Sequence, residues 1–187
     1  MLDRRDSVKL LLREGRDLIV CGLGAPTYDV AAAGDDDRNF YLWGAMGGAA
    51  MIGLGLALAQ PQRRVLVVTG DGEMLMGMGS LATIAEQRPP NLAVVVLDNG
   101  AYGETGMQKS HAGGATNLAE VAKGCGISLS LEVRGDNELA QLAHLIRTAK
   151  ETLFARIVVA AEDLPRVLPL RDGVALKLRF RHALGLD

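Results

Sequence analysis

Unbroken apolar runs and stretches of helical spacing alternate along the chain, most clearly over residues 65–97. The runs 65–68 (VLVV) and 92–97 (LAVVVL) are rich in β-branched residues and read as buried strands. Between them Met78, Leu81, Ala82 and Ile84 recur at helical spacing. Strand, turn, helix, strand is a βαβ unit of a parallel sheet. Residues 17–21 (DLIVC) predict an earlier buried strand, 39–42 a short one, and 129–133 and 154–160 two later ones. Helices are predicted over 6–16, capped by Asp6 or Ser7 and stopped by Gly15, and over 118–123. The clearest helix is 137–153, with Leu139, Leu142, Ala143, Ile146 and Ala149 on one face, Asp136 as cap and His144 off that face.

Two further stretches are less regular. From Trp43 to Ala59 run 17 residues without a charge or polar group. A membrane span needs about 20 apolar residues and fewer glycines, so this predicts a buried helix packed closely through small side chains. The tail from Arg171 alternates Leu176, Leu178 and Phe180 with Lys177, Arg179 and Arg181. That predicts an edge strand of period two, or an arm packing on a partner. The sum is an α/β protein, a mostly parallel sheet between helices, as one domain over residues 1–187.

Composition narrows the partners. A chain of 187 residues suits one domain with a real core. With 23 glycines and only 4% aromatics it suits close backbone packing and a cofactor cleft. A net charge of −2 gives no reason to expect nucleic acid or an anionic membrane as partner. Cys21 and Cys125 form neither metal spacing nor a disulfide framework, which fits a reducing cytoplasmic compartment. The N-terminal MLDRRDSVKLLLREG lacks the apolar core of a signal peptide.

The chemistry gathers where the two central strands end. Gly70-Asp71-Gly72 closes the first and Asp98-Asn99-Gly100 the second. In parallel sheets, ligands bind beyond the carboxyl ends of the strands. Gly70 and Gly72 let a bulky anion approach the backbone. The N–H groups of Gly72 and Glu73 open a helix, where free donors and the dipole favour a phosphate. Asp71 brings a carboxylate, Asn99 an amide carbonyl, and the backbone a further oxygen. That set suits Mg²⁺ or Ca²⁺ rather than zinc. These features together describe a diphosphate held through a divalent cation. Other clusters are weaker. Gly22-Leu23-Gly24-Ala25-Pro26-Thr27 approximates a dinucleotide turn, but Pro26 intrudes and Thr27 stands at the third glycine position. The acid run Asp35-Asp36-Asp37 reads as a solvated loop rather than a metal site, and Met74, Met76 and Met78 as cleft or subunit-seam packing.

Gly70-Asp71-Gly72, 26 residues and then Asn99 resembles the thiamine-diphosphate motif. The resemblance covers most of the chain and implies the three-layer fold of the family's PP (diphosphate-binding) module. It implies thiamine diphosphate and Mg²⁺ as cofactors, with Asp71, Asn99 and the main-chain carbonyl of Ala101 on the metal. The loop after the first strand would lie over the diphosphate, which nominates Gly24 and Thr27. Met46 matches the apolar side chain that wedges under the bent cofactor, and the Gly44 carbonyl matches the acceptor for the pyrimidine amino group. Met46 as plain core filling is the alternative.

After Asn99, a glycine-rich loop reads as mobile, with Tyr102, Glu104, Thr105, Gln108 and His111 able to meet cofactor or substrate. N-G-x-x-x-x-T-G-x-Q is similar to the loop of phosphonopyruvate and sulfopyruvate decarboxylases. That family usually has Ser where Glu104 stands, and a carboxylate there opposes a doubly anionic substrate. Glu104 and His111 are the candidates for catalysis, His111 as proton donor or else a solvated loop residue.

The family's activating glutamate lies on a PYR module, and this chain is long enough for one module. The resemblance therefore implies a PYR-type partner of similar size in a hetero-oligomer, α2β2 or larger, acting on a small 2-oxo acid. Non-oxidative decarboxylation is the expected reaction. A carboligase of acetolactate-synthase type shares its first covalent steps, a ferredoxin-linked oxidoreductase subunit would call for clustered cysteines, and a binding module without turnover remains a further class.

Overall fold

The computed structural model of the protein describes residues 1–13, 15 and 17–186. In chain order its elements are α1 (Arg4–Leu12), β1 (Leu18–Cys21), α2 (Ala25–Ala33), β2 (Asn39–Tyr41), α3 (Ala49–Ala59), β3 (Val65–Gly70), α4 (Asp71–Met76), α5 (Ser80–Gln87) and β4 (Leu92–Asp98). They continue with β5 (Ala101–Tyr102), a 3₁₀ turn Gly103–Thr105, β6 (Gln108–Lys109), α6 (Leu118–Gly124), β7 (Leu129–Val133), α7 (Asp136–Thr148), β8 (Leu153–Val158) and α8 (Gly173–Leu184). Among the described residues no helix is long and apolar enough to cross a membrane.

Six strands form one parallel sheet in the order β2-β1-β3-β4-β8-β7. Val65 of β3 pairs with Leu18 on one side and Leu92 on the other, so β3 and β4 are central and buried along their length. Continuous β-branched runs suit such strands, which have an apolar layer on each face. On one face Val8 and Leu11 of α1, Val30 of α2 and Leu142 and Ile146 of α7 cover Leu66, Val68, Val95 and Leu97. On the other, Leu54 of α3, Leu81 and Ile84 of α5 and Leu118 of α6 cover Val67, Val94 and Val96. This is the expected three-layer α/β architecture, and its six-stranded sheet is parallel throughout. The order reverses between β1 and β3, which run to opposite edges from a shared pairing, and their exit loops separate there to leave a crevice.

Four expectations change. The tail is helix α8, not a period-two strand. The alternation of Leu176, Leu178 and Phe180 follows a strand period, but Leu176 and Phe180, one helical turn apart, are buried while Leu178 is exposed. The Asp172 side chain caps the helix by accepting from the N–H groups of Val174 and Ala175 at 2.8 and 3.0 Å, and Gly185 ends it in the left-handed region. The buried helix expected over 43–59 begins only at Ala49, because Gly44, Ala45 and Gly47 all have positive φ. The helix expected between β3 and β4 is two, broken at Gly77. A Cβ there would lie 2.1 Å from the Gly47 carbonyl oxygen, so the break is where the 43–48 loop meets α4. Finally, α7 ends at Thr148 and Leu153 opens β8.

Caps shift by a few residues. α1 is capped by Asp3, whose side chain accepts from Asp6 N–H at 2.7 Å, rather than by Asp6 or Ser7, and its expected end at Arg16 lies outside the described residues. Gly135, not Asp136, precedes α7, and Glu138 reaches back to accept from the N–H groups of Arg134 and Gly135. In the acid run, Asp35 pairs with Arg179 and accepts from the Tyr41 hydroxyl, while Asp36 pairs with Arg38.

Candidate functional site

The crevice at the reversal point holds a cavity of about 630 Å³. The β1 exit lines it with Leu23, Ala25 and Pro26, the β3 exit with Gly70 to Glu73, and the β4 exit with Asn99, Ala101 and Tyr102. Its volume is that of a pocket for a cofactor-sized ligand. Gly70 is extended and Asp71 is the first residue of α4, so the chain turns into the helix as the glycines predict. Gly72 has a second role. A Cβ on it would come 2.5 Å from the Tyr102 ring, so that ring lies directly over the helix start.

Asp71 is buried, and its Oδ2 accepts a hydrogen bond from the Ser110 hydroxyl. Burial pushes its carboxyl up to about 6, Ser110 opposes that, and the neighbouring Asp98 adds to it. Asp98 carries its own compensation. Its carboxylate accepts from Arg156 Nε and from Gly100 N–H, and Arg156 also donates to Glu132 at 2.8 Å and to the Ala112 carbonyl at 3.2 Å. Asn99 Oδ1 accepts from Ala101 N–H at 3.0 Å, which fixes the side chain in a tight turn and leaves a lone pair on the carbonyl oxygen.

The donor set fits a hard divalent cation. The lining offers it a buried carboxylate that is costly to keep charged, a fixed amide side chain on Asn99 and the backbone of Ala101. Among the described residues no group of three or more His, Cys, Asp or Glu is arranged for a metal.

Glu73 has a side-chain role beside the one its backbone suggested. Its buried carboxylate accepts from the N–H groups of Leu23 at 2.8 Å, Gly47 at 3.3 Å and Ala49 at 3.4 Å. It therefore ties the β1 exit, the 43–48 loop and the start of α3 to α4. Burial raises its carboxyl, and the backbone donors pull it back. Glu73→Ala leaves these donors without their acceptor, at about 1–3 kcal/mol for each truly buried one. We expect a loss of roughly 2–4 kcal/mol and a melting temperature lower by on the order of 10 °C, with Glu73→Gln milder. Thermal unfolding of the two variants checks this, and an unchanged Glu73→Ala would remove the tie.

Of the residues nominated from sequence, Met46, Gly70, Asp71, Gly72, Glu73, Asn99, Ala101, Tyr102, Glu104, Thr105 and Gln108 share this cavity. Gly24 lies beneath Glu104: its φ is +82°, and a Cβ would meet Glu104 Cγ at 2.8 Å. Thr27 is buried with its hydroxyl donating to the Gly22 carbonyl at 2.8 Å, and so holds the loop rather than lining the cavity. Gly44 lies in the loop that presents Met46, outside the lining. His111 is also outside it: its side chain is exposed and its carbonyl accepts from Gly114 and Thr116. The glycine-rich segment is a hairpin, with Ala101 opposite Lys109 and Tyr102 opposite Gln108. Beyond it Ser110 N–H donates to the Gly100 carbonyl, which returns the Ser110 hydroxyl to Asp71.

Sequence reasoning missed Tyr28, Ser110 and residues 162–166. The last of these cross the cavity from the far end of the chain, with Glu162, Asp163, Leu164 and Arg166 in its lining.

A reversal-point cavity with a phosphate-type helix start and a hard-oxygen set defines a diphosphate-binding α/β module. The family model for the thiamine pyrophosphate enzyme C-terminal TPP binding domain matches residues 29–159. The chain belongs to this family of thiamine-diphosphate-dependent enzymes, and within it to the decarboxylase (lyase) branch. It is 49% identical to the sulfopyruvate decarboxylase β subunit of Methanocaldococcus jannaschii, over 90% of this chain and 89% of that one. It is 37% identical to the subunit of the same name from Methanococcus maripaludis, over 98% of both chains. Among solved structures, benzoylformate decarboxylase from Polynucleobacter necessarius superposes with a TM-score of 0.71 at 20% identity, over 89% of this chain. The chain spans about a third of that structure, 34% of its length, so this likeness concerns the fold of one module.

Proposed function

We propose that this chain is the diphosphate-binding β subunit of a thiamine-diphosphate- and Mg²⁺-dependent sulfopyruvate decarboxylase. The observation that carries the reading is that Asp71, Asn99 and Ala101 line one and the same cavity, together with the start of α4. The two β-subunit relatives, aligned over nearly their whole length, support the substrate. Thiamine diphosphate supplies a carbanion nucleophile and an electron sink for the carboxylate carbon–carbon bond. Asp71, Asn99 and the Ala101 carbonyl would hold the magnesium, with Asp71 oriented by Ser110. The N–H groups at the start of α4 would take phosphate oxygens. Met46 would sit under the cofactor, and residues 101–108 and 162–166 would screen the reacting centre from water. The activating glutamate would come from a PYR-type partner of similar size, in an α2β2 or larger assembly. The names of the relatives, each a subunit, support a partner of this kind.

Calorimetric titration of thiamine diphosphate with Mg²⁺, into the chain alone and into the chain with its co-expressed partner, tests the reading. Metal-dependent binding is expected in the complex, together with release of CO₂ from sulfopyruvate. Absence of binding in both preparations would end the cofactor assignment. Binding without CO₂ release from sulfopyruvate would end the substrate assignment alone.

A further inference from the structure

A doubly anionic substrate needs a cation, and the cavity is poor in them. Arg4 and Arg166 are the two cationic residues in its lining. Arg4 is buried and committed: its Nε donates to Asp29, which is fully buried and also accepts from Arg5 at 3.2 Å. Arg166 is placed differently. Its side chain is 56% exposed, one guanidinium nitrogen lies 3.3 Å from Glu104, and its Cζ sits 5.7 Å over the Tyr28 ring. The backbone beside it is pinned, because Arg5 donates to the Pro165 carbonyl at 2.8 Å. Glu104 is held in turn from below by Gly24 and at its carboxylate by the Tyr28 hydroxyl, 3.4 Å away. Residues 162–166, α2 and the hairpin thus meet in one small cluster on the cavity wall.

That cluster answers the objection raised by Glu104. Its carboxylate does not face the cavity as an uncompensated charge, since it faces a guanidinium across a loose contact. A guanidinium fork binds a three-oxygen anion with two parallel hydrogen bonds, shorter and stronger than a single contact at 3.3 Å. The tyrosine face keeps the guanidinium plane in position for the exchange. We propose that Arg166 is the specificity-determining residue for the distal anion of the substrate, a sulfonate, and that Glu104 holds its place until substrate arrives. The inference rests on the sulfopyruvate decarboxylase reading above. Glu162 and Asp163 line the same wall and set a repulsive background that Arg166 must overcome.

The test uses the complex of this chain with its partner. The readouts are KM and kcat for sulfopyruvate and Kd for thiamine diphosphate with Mg²⁺. Arg166→Gln is expected to raise KM by about tenfold to a hundredfold, with the loss concentrated in KM and the cofactor Kd within about twofold. Arg166→Lys, which keeps the charge but not the fork, should recover part of the loss. Glu104→Gln should move KM the other way, downward, because it removes the competitor. If Arg166→Gln leaves KM unchanged while the wild type decarboxylates sulfopyruvate, the inference fails and the functional reading stands. If cofactor affinity and kcat fall along with the rise in KM, Arg166 is only a structural strut and the inference also fails. If the wild-type complex binds cofactor but does not release CO₂ from sulfopyruvate, the substrate reading fails and takes this inference with it.

Discussion

Replacing Asp71 by Asn is expected to weaken Mg²⁺-dependent cofactor binding at least a hundredfold and, at the same time, to stabilise the cofactor-free chain. Both effects come from one buried carboxylate. Burial and the proximity of Asp98 raise its carboxyl from an ordinary 3.8 to about 6. An acid whose folded-state value is raised makes folding less favourable once it is ionised. Its penalty is absent below pH 3.8, grows as pH rises through the window from 3.8 to about 6, and is complete above it. A shift of this size, already net of the Ser110 and backbone hydrogen bonds, corresponds to roughly 1–3 kcal/mol at pH 7. Asn keeps the shape and removes the charge. At pH 7 the cofactor-free variant should therefore melt higher by about 2–8 °C, and the gain should shrink towards zero near pH 4. In the complex proposed above the same change would remove the one protein carboxylate of the proposed cation ligand set, at several kcal/mol of binding. Thermal melts of the chain at pH 4 and 7, beside calorimetry of the complex, check both halves. An Asp71→Asn chain that melts lower at pH 7 would show that the carboxylate is structural rather than a strained ligand site.

This trade-off explains which parts of the site were legible in the sequence. Gly70-Asp71-Gly72 and Asn99 sit at strand ends on neighbouring strands, so a one-dimensional spacing already implied a three-dimensional meeting. The central strands and α7 were legible because a buried face imposes a period. The tail was not, because the alternate spacing of Leu176, Leu178 and Phe180 follows a strand period, while only Leu176 and Phe180, four apart, mark the buried face of the helix. The deciding signals were Asp172 before the helix and Gly185 after it, both present in the sequence. The start of α3 was hidden for another reason: an uncharged, glycine-rich run says nothing of which residues adopt positive φ, and Gly44, Ala45 and Gly47 do.

Ser110 and Arg166 have no local signature. Ser110 reaches Asp71 from 39 positions away, because Gly100 and Gly113 let two backbone segments touch. Arg166 reaches Glu104 across 62 residues through a segment without regular structure. Their partners are chosen by the topology, which brings the β1, β3 and β4 exits and the far end of the chain to one crevice. Glu73 illustrates the converse. Its position beside the motif was legible, but its side chain serves the loops rather than the ligand.

Arg156→Met should give the largest loss of stability, about 3–5 kcal/mol, because it strands a buried charge. Arg156 on β8 donates to Asp98 at the end of β4, to Glu132 on β7 and to the Ala112 carbonyl. Asp98 is nearly inaccessible to water, and an ion left alone in such a place costs far more than the pair was worth. Met fills the volume of the stem, so the loss reports charge rather than a cavity. The melting temperature should fall by on the order of 10 °C or more. Arg156→Lys keeps the charge but cannot span all three acceptors, and should lie between. The decisive comparison is the double variant Asp98→Asn with Arg156→Met. Removing both charges should destabilise by less than the sum of the single changes, with a coupling of roughly 1–3 kcal/mol. Strict additivity would mean that Arg156 acts through packing alone. A clear coupling would tie the end of β4, and with it the turn that presents Asn99 and Ala101, to the charge balance of the sheet's far edge.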